Sequence, residues 1–259
     1  MVHFVGAGPG ACDLITVRGE KLLREADVII YAGSLVNPEL LKVKKESCKV
    51  YDSAYMTLEE VMKVIQEAER EEKMIVRLHT GDPSLYGAIK EQMDELDKRN
   101  IVYDICPGVS SFSGAAAALK MEYTLPEVSQ SVIITRMEGR TKVPERESIR
   151  SFAAHRATMV LFLSTGLLEK LSEELIKGGY PEDTPAAIVY KASWPEEEVH
   201  HCTIRTLYET AKKHQITKTA LIVVGEVLQA GERKEYERSR LYAPEFTTEF
   251  RQGTKKEGE

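Results

Sequence analysis

Cysteine is scarce in this chain of 259 residues: four, at Cys12, Cys48, Cys106 and Cys202. They are widely scattered and form no Cys-x-x-Cys, so neither a disulfide framework nor a cysteine zinc site is indicated, and buried reduced thiols are expected. Aromatic residues make up only 7% of the chain, with one tryptophan, Trp194. No apolar run approaches the ~20 residues needed to cross a bilayer, and Met1-Val2-His3-Phe4-Val5 carries no basic leader. A soluble, cytoplasmic protein is expected. Positive charge is not in excess: 35 Lys and Arg stand against 41 Asp and Glu, a net charge of −6. That balance argues against a nucleic-acid surface spread over the protein. The six histidines show no ligand spacing with a carboxylate or cysteine, and His200 and His201 adjoin on a strand and so face opposite ways. The expectation is no protein-bound metal, with histidines satisfied or on the surface. Glu196-Glu197-Glu198 reads as a solvated face. Met56, Met62, Met93 and Met137 read as packing residues.

What is present is an alternation of strands and helices over a length that suits two α/β domains. Strands are expected at His3 to Val5, Val28 to Tyr31, Met74 to His79 and Val102 to Ile105. Between them lie helices from about Thr16 to Arg24 and after the capping box Thr57-Leu58-Glu59-Glu60, with Val61, Val64, Ile65 and Ala68 at helical spacing. The Ser- and Ala-rich stretch Ser110 to Leu119 makes a slim helix able to sit close to a neighbour. The first half should form a mainly parallel sheet. The second half places strands at Val132 to Thr135, Thr158 to Leu163, Ala186 to Tyr190, Glu198 to Thr203 and Thr219 to Gly225, with a helix after Ser164 closed by Gly178-Gly179. Only Lys191 to Glu197 separate two of these strands, which suits a hairpin and a mixed sheet. Domains are therefore expected at 1–120 and 129–237, followed by a polar, mobile tail at 238–259.

Three Gly/Pro turns follow apolar strands in the first half: Gly6-Ala7-Gly8-Pro9-Gly10, Thr80-Gly81-Asp82-Pro83-Ser84-Leu85-Tyr86-Gly87 and Pro107-Gly108-Val109-Ser110-Ser111. Gly81 allows close backbone approach, Asp82 is a good helix N-cap and Pro83 suits the first helical position. The helix so opened should carry Leu85, Ile89, Met93 and Leu96 on one face. Such a turn needs no ligand when it stands alone. Three of them are expected to converge on one sheet edge. Gly6-x-Gly8-x-x-Ala11 also satisfies the dinucleotide-binding pattern, but Cys12 to Ile15 intervene before the helix, and the ribose-binding acid is missing after Tyr31.

The three blocks, with Arg77-Leu78-His79 leading the second, resemble the tetrapyrrole methylase family up to about residue 235. Tyr31-Ala32-Gly33-Ser34-Leu35-Val36 and Pro126 to Arg136 resemble its branch that methylates a corrin precursor at C-11 during cobalamin synthesis. The resemblance implies two α/β domains with S-adenosylmethionine in the cleft between them, a tetrapyrrole substrate and a homodimer. It implies cofactor contacts at Pro9, Gly81, Asp82, Leu85, Ser110, Ser111, Leu163, Tyr190 and Ala192. Thr80, Leu163 and Ala192 depart from the Gly, Met and Gly of relatives acting on uroporphyrinogen. The acid proposed as proton acceptor there falls near Ala32, so no catalytic base is assigned. Substrate carboxylates would ask for cations, and Arg136, Arg140, Lys142 and Arg146 form a basic cluster in an acidic chain. The alternatives are a same-fold methylase acting elsewhere, a dinucleotide-dependent oxidoreductase, and a non-catalytic tetrapyrrole carrier.

Overall fold

A computed structural model describes residues 1–229, 239 and 242–254. They divide into two compact units: 1–118 with 189–198, and 119–188 with the described residues from 199 onward.

Unit 1 is built on five strands, β1 (Val2–Gly6), β2 (Val28–Tyr31), β3 (Lys49–Asp52), β4 (Ile75–His79) and β5 (Tyr103–Cys106), in the order β3-β2-β4-β1-β5. All four neighbouring pairs are parallel. Its helices are α1 (Val17–Glu25), α2 (Leu58–Arg70), α3 (Ile89–Asp97) and α4 (Ser111–Ala118). Thr16 caps α1 by accepting from the Gly19 N–H, and Thr57 and Glu60 cap α2 reciprocally. Both caps satisfy donors that a helix start leaves open. A parallel sheet needs cover on both faces, and strand alternation supplies it. Val2, Phe4, Val28, Ile30 and Ile75 face a cluster with Val61, Met62 and Ile65 of α2 and Leu96 of α3. Val5, Ile29, Val76 and Leu78 face a second cluster with Leu23 of α1. Fully burying side chains of this size contributes roughly 2 kcal/mol each. The edge strand β3 has no counterpart in the sequence reading, because Lys49-Val50-Tyr51-Asp52 is too short and too polar to announce itself.

Unit 2 carries β6 (Val132–Arg136), β7 (Thr158–Phe162), β8 (Pro185–Tyr190), β9 (Glu198–Thr203) and β10 (Ala220–Val224), in the order β6-β7-β10-β8-β9. The end of β8 and the connection to β9 pack with unit 1. The sheet is mixed: β6 runs parallel to β7, and β10 antiparallel to it. Helices α5 (Ile149–Ala153), α6 (Leu168–Gly178) and α7 (Leu207–Lys213) complete the unit. Leu168, Leu171 and Leu175 of α6 are buried. Gly179, at φ 121°, ends that helix in a conformation that other residues rarely adopt. The short helices α5 and α7 also escape the sequence pattern. Of the expected tail, residues 238, 240–241 and 255–259 lie outside the described residues. Among the described residues no helix is long and apolar enough to cross a membrane. The four cysteines are unbridged; Cys48 and Cys106 are buried, Cys12 and Cys202 partly so.

Candidate functional site

The parallel order of unit 1 decides where its loops go: β4, β1 and β5 are neighbours, so the turns that follow them emerge side by side. The first two are tied by backbone hydrogen bonds. Gly8 N–H donates to Gly81 O at 3.2 Å, Gly81 N–H to Gly8 O at 2.8 Å, and Ala7 N–H to His79 O at 2.7 Å. Gly8 and Gly81 both have positive φ, 81° and 60°. The third turn comes so near that a Cβ on Gly108 would stand 2.2 Å from Gly81 O and 2.7 Å from Gly6 Cα. Only glycine permits this approach. The expected convergence on one edge is therefore what the structure shows.

Asp82 joins the second turn to the third. One carboxylate oxygen accepts from Gly108 N–H at 2.8 Å, and the other accepts from the Ser84 N–H at 2.9 Å and from the Ser84 hydroxyl. Burial pushes the Asp82 pKa up, but these bonds outweigh it and hold the value below the usual carboxylate range. Here the sequence reading is corrected. Asp82 caps no helix: α3 starts only at Ile89, behind Ala88 at φ 48°. The side chain expected to cap a helix serves the neighbouring loop instead, and the chain from Pro83 to Gly87 forms a turn. Leu85 consequently lies off the α3 face.

The slim helix α4 does approach a neighbour closely. A Cβ on Gly114 would meet the Pro9 side chain at 3.0 Å and that of Ala192 at 3.5 Å. The segment 189–198 covers the first glycine loop from that side. Trp194 Nε1–H donates to Pro9 O at 3.0 Å, and Ala11 N–H donates to the Ser193 hydroxyl at 3.0 Å. The role of Trp194 could not be read from the sequence; it closes over Gly10, where any side chain would collide with its ring. Glu197, expected to be merely solvated, accepts from Ser193 N–H at 2.6 Å and shapes this segment.

Of the residues singled out for a cofactor, Pro9, Gly81, Asp82, Leu85, Ser110, Ser111, Tyr190 and Ala192 all belong to unit 1. Ser110 and Ala192 are buried. The Gly81 turn is within van der Waals reach of Ser110 and Ser111. Leu163 belongs to unit 2, where it follows β7 directly at φ 52° and is 66% exposed. In the basic cluster, Arg136 donates to the carbonyls of Met137, Thr141 and Lys142, so it closes its own loop. Arg140 and Lys142 are exposed on that loop, and Arg146 pairs with Glu147 at 3.5 Å.

The histidines sit in two surroundings that sequence spacing does not show. His200 of β9 stacks on His214 at 3.7 Å, and Glu198 shares the face of His200 by the two-residue strand period. Glu198, His200 and His214 are a set that could ligate a metal ion; sequence spacing missed it because His214 arrives from beyond α7. His79, for its part, is neither satisfied nor on the surface. It is 4% exposed, and its Nε2 finds no hydrogen-bond partner among the described residues. Burial first, and the nearby Arg77 second, push its pKa down to about 3, so the ring is neutral. Arg77, 6% exposed, has its own pKa lowered to about 10 by burial and remains charged. The sequence signal for both was available: a cation and an imidazole at period two inside an otherwise apolar strand.

The first glycine loop does not serve as a dinucleotide cradle. It runs into a 3₁₀ turn at Cys12–Leu14, and α1 begins only at Val17, so no helix N-terminus faces it as a pyrophosphate would require. The family of tetrapyrrole (corrin/porphyrin) methylases matches residues 1–208. The chain belongs to that family. As a tetrapyrrole methylase it is a methyltransferase, and the oxidoreductase reading falls. It is 54% identical to the cobalt-precorrin-4 C(11)-methyltransferase of Methanocaldococcus jannaschii, over 98% of this chain and 97% of that one. It is 45% identical to the protein of the same name from Priestia megaterium, over 99% of both chains. Among solved structures it resembles the X-ray structure of a cobalt precorrin-4 methyltransferase of cobalamin biosynthesis, with a TM-score of 0.86 and 46% identity over 88% of this chain and 95% of the other. It also resembles the uroporphyrin-III C-methyltransferase of Thermus thermophilus complexed with S-adenosyl homocysteine, with a TM-score of 0.74 and 28% identity over 88% and 93%.

Proposed function

We infer that this tetrapyrrole methylase transfers a methyl group from S-adenosylmethionine to C-11 of cobalt-precorrin-4 or precorrin-4, a step of cobalamin biosynthesis. The observation that carries the reading is the interlocked edge of Gly6, Gly8, Gly81 and Gly108 in a chain so similar, over nearly its whole length, to proteins of that name.

The residues at this edge suit such a cofactor. S-adenosylmethionine has no phosphate, so it calls for backbone contact with adenosine and donors for its amino-acid end. Glycines at the close approach leave backbone atoms uncovered by side chains. The start of α4, after Ser110, leaves amide donors without partners inside the helix, as every helix start does, and these suit a carboxylate. We assign contacts to Pro9, Gly81, Asp82, Leu85, Ser110, Ser111, Tyr190 and Ala192 on that basis.

The sulfonium cofactor supplies an electrophilic methyl group, and the conjugated macrocycle supplies the carbon nucleophile. The protein's share is alignment and exclusion of water, which can lower the barrier by roughly 7 kcal/mol or more without an acid–base pair. Asp82 contributes by fixing the second turn against the third. Trp194 contributes by holding the first loop under the 189–198 segment. The macrocycle's proton then leaves to water or a neighbouring carboxylate. The remaining parts of the reading are a homodimer, to be measured by sedimentation, a cytoplasmic location, and a role for the exposed cations Arg140 and Lys142 toward the substrate's carboxylate arms.

The deciding experiment is anaerobic turnover with methyl-labelled S-adenosylmethionine and cobalt-precorrin-4, with the label located by NMR. Label at C-11 is expected. Label at another ring carbon would make the protein a methylase of different regiochemistry, and binding without transfer would make it a carrier.

A further inference from the structure

The core face of β4 is the most unusual part of unit 1. Strand alternation places Ile75, Arg77 and His79 on the same face, and Ile75 sits among the apolar residues of α2 and α3. A guanidinium and an imidazole therefore occupy positions at which the strand's first turn of alternation places an isoleucine. Taking a charge out of water is costly unless it is paired. Arg77 is not paired with a charge. Its Nε donates to Gln92 Oε1 at 2.9 Å, one terminal nitrogen to Ile30 O at 3.0 Å and the other to the Ser53 hydroxyl at 3.0 Å. All three partners are neutral, and no carboxylate pairs with Arg77 among the described residues. A guanidinium has five N–H donors, and these bonds use three.

Both side chains line one cavity, of about 270 Å³, at the carboxyl end of β2 and β4. Ser53, Gln92 and Thr80 line it with them, and Leu35 and Tyr86, each about half exposed, stand at its rim. Gln92 is held in turn by Ala88 O at 3.0 Å, so the polar wall is fixed rather than adaptable. The cavity thus presents a buried cation with spare donors and an imidazole nitrogen with no partner. Glu91, exposed on α3, also lines the cavity but pairs with neither Arg77 nor His79, so what these two groups lack is an anion small enough to enter.

We propose that this cavity is the receptor for one carboxylate-bearing side arm of the tetrapyrrole, with Arg77 and the Nε2 of His79 as its binding pair. The assignment rests on the methylase reading and adds to it the residues that fix how the macrocycle is seated. A carboxylate there would accept the unused guanidinium donors in a charge-assisted pair and the imidazole N–H beside them. Buried, such bonds escape the screening that weakens surface pairs. Seating one arm at a fixed point would orient the ring and so select which of its carbons meets the methyl group.

The test begins with the wild-type enzyme and labelled S-adenosylmethionine: absence of transfer to any tetrapyrrole defeats the methylase reading itself. With transfer established, binding of uroporphyrin III, a stable polycarboxylate tetrapyrrole, and of S-adenosylhomocysteine is measured by fluorescence and calorimetry for Arg77→Gln and His79→Gln. Uroporphyrin binding should weaken about tenfold or more in Arg77→Gln and several-fold in His79→Gln, the range expected for hydrogen bonds to a charged group. S-adenosylhomocysteine binding should stay within about twofold, and in turnover KM for the tetrapyrrole should rise while KM for the cofactor does not. Should Arg77→Gln not fold, His79→Gln decides alone, because it replaces one neutral polar group by another. Unchanged uroporphyrin binding in a folded variant would overturn the proposal and leave Arg77 as a brace between β2 and α3. Loss confined to S-adenosylhomocysteine would overturn it too, by giving the cavity to the cofactor's carboxylate.

Discussion

The two sheets of this protein are similar in size and opposite in consequence. In unit 1 every pair is parallel, so all five strands end on one edge, and the turns after β1, β4 and β5 are forced into contact. In unit 2 the antiparallel β10 divides the strand ends between two edges, and the conspicuous loop after β6 stands with its own arginine folded back on its carbonyls. Arg77 and Arg136 make the contrast concrete. Each makes three hydrogen bonds to neutral acceptors, yet Arg136 borders solvent on the loop it closes, whereas Arg77 is sealed beside a cavity. A cation by itself says little; the topology around it decides whether it is a tie or a receptor.

The harshest way to break the comparison is to fill the unit 1 edge. Gly108→Val puts a side chain where 2.2 Å separates its Cβ from Gly81 O, and backbone rather than a flexible side chain would have to yield. A loss of about 3 kcal/mol is expected, seen as a Tm lower by roughly 10 °C, together with loss of cofactor binding in calorimetry. A Tm within about 2 °C of wild type would show that the three turns are not locked together.

Asp82→Ala sharpens the same point at smaller cost, about 2 kcal/mol at neutral pH for the charge-assisted bonds to Gly108 and Ser84. The folded Asp82 titrates below its unfolded value of about 3.9. Its contribution is therefore complete above about pH 4 and disappears as pH falls through the lower, folded value. Chemical denaturation from pH 7 to pH 2 should show wild type and variant converging only at the acid end. Cofactor affinity should fall with stability; if stability falls and affinity does not, Asp82 merely ties the loops.

The mildest change tests unit 2. Replacing Arg140 and Lys142 together by Ala should alter stability by less than about 0.5 kcal/mol, since both side chains are exposed. Uroporphyrin affinity should drop about threefold at low salt, and the difference should vanish near 0.5 M salt, as expected of screened surface charge. A salt-independent loss would mean that the loop holds its ligand as tightly as the β4 cavity is proposed to do.

Much of this was legible in the chain. Val28 to Tyr31 and Glu198 to Thr203 have the bounds read from their apolar and β-branched runs, and the Thr57–Glu60 box starts α2 as written, because caps and alternation are local. The misses share a cause. Asp82-Pro83 has every local mark of a helix start, but its carboxylate found Gly108, 26 residues away. β3 is held by its neighbour β2 rather than by its own composition. His214 became a partner of His200 only through the packing of a short helix. For the site, the glycine turns were visible as a pattern; Arg77 and His79 were visible only as oddities.

Local chemistry, then, settled which segments would be strands, which turns needed glycine, and the family to which those turns belong, since backbone sterics and hydrophobic periodicity act over a few residues. Which turns touch, whom Asp82 serves, and that a guanidinium and an imidazole share a cavity were decided by the order of strands in the sheet. That order is a matter of long-range burial, in which residues far apart in sequence exclude water together, and no short stretch of chain contains it.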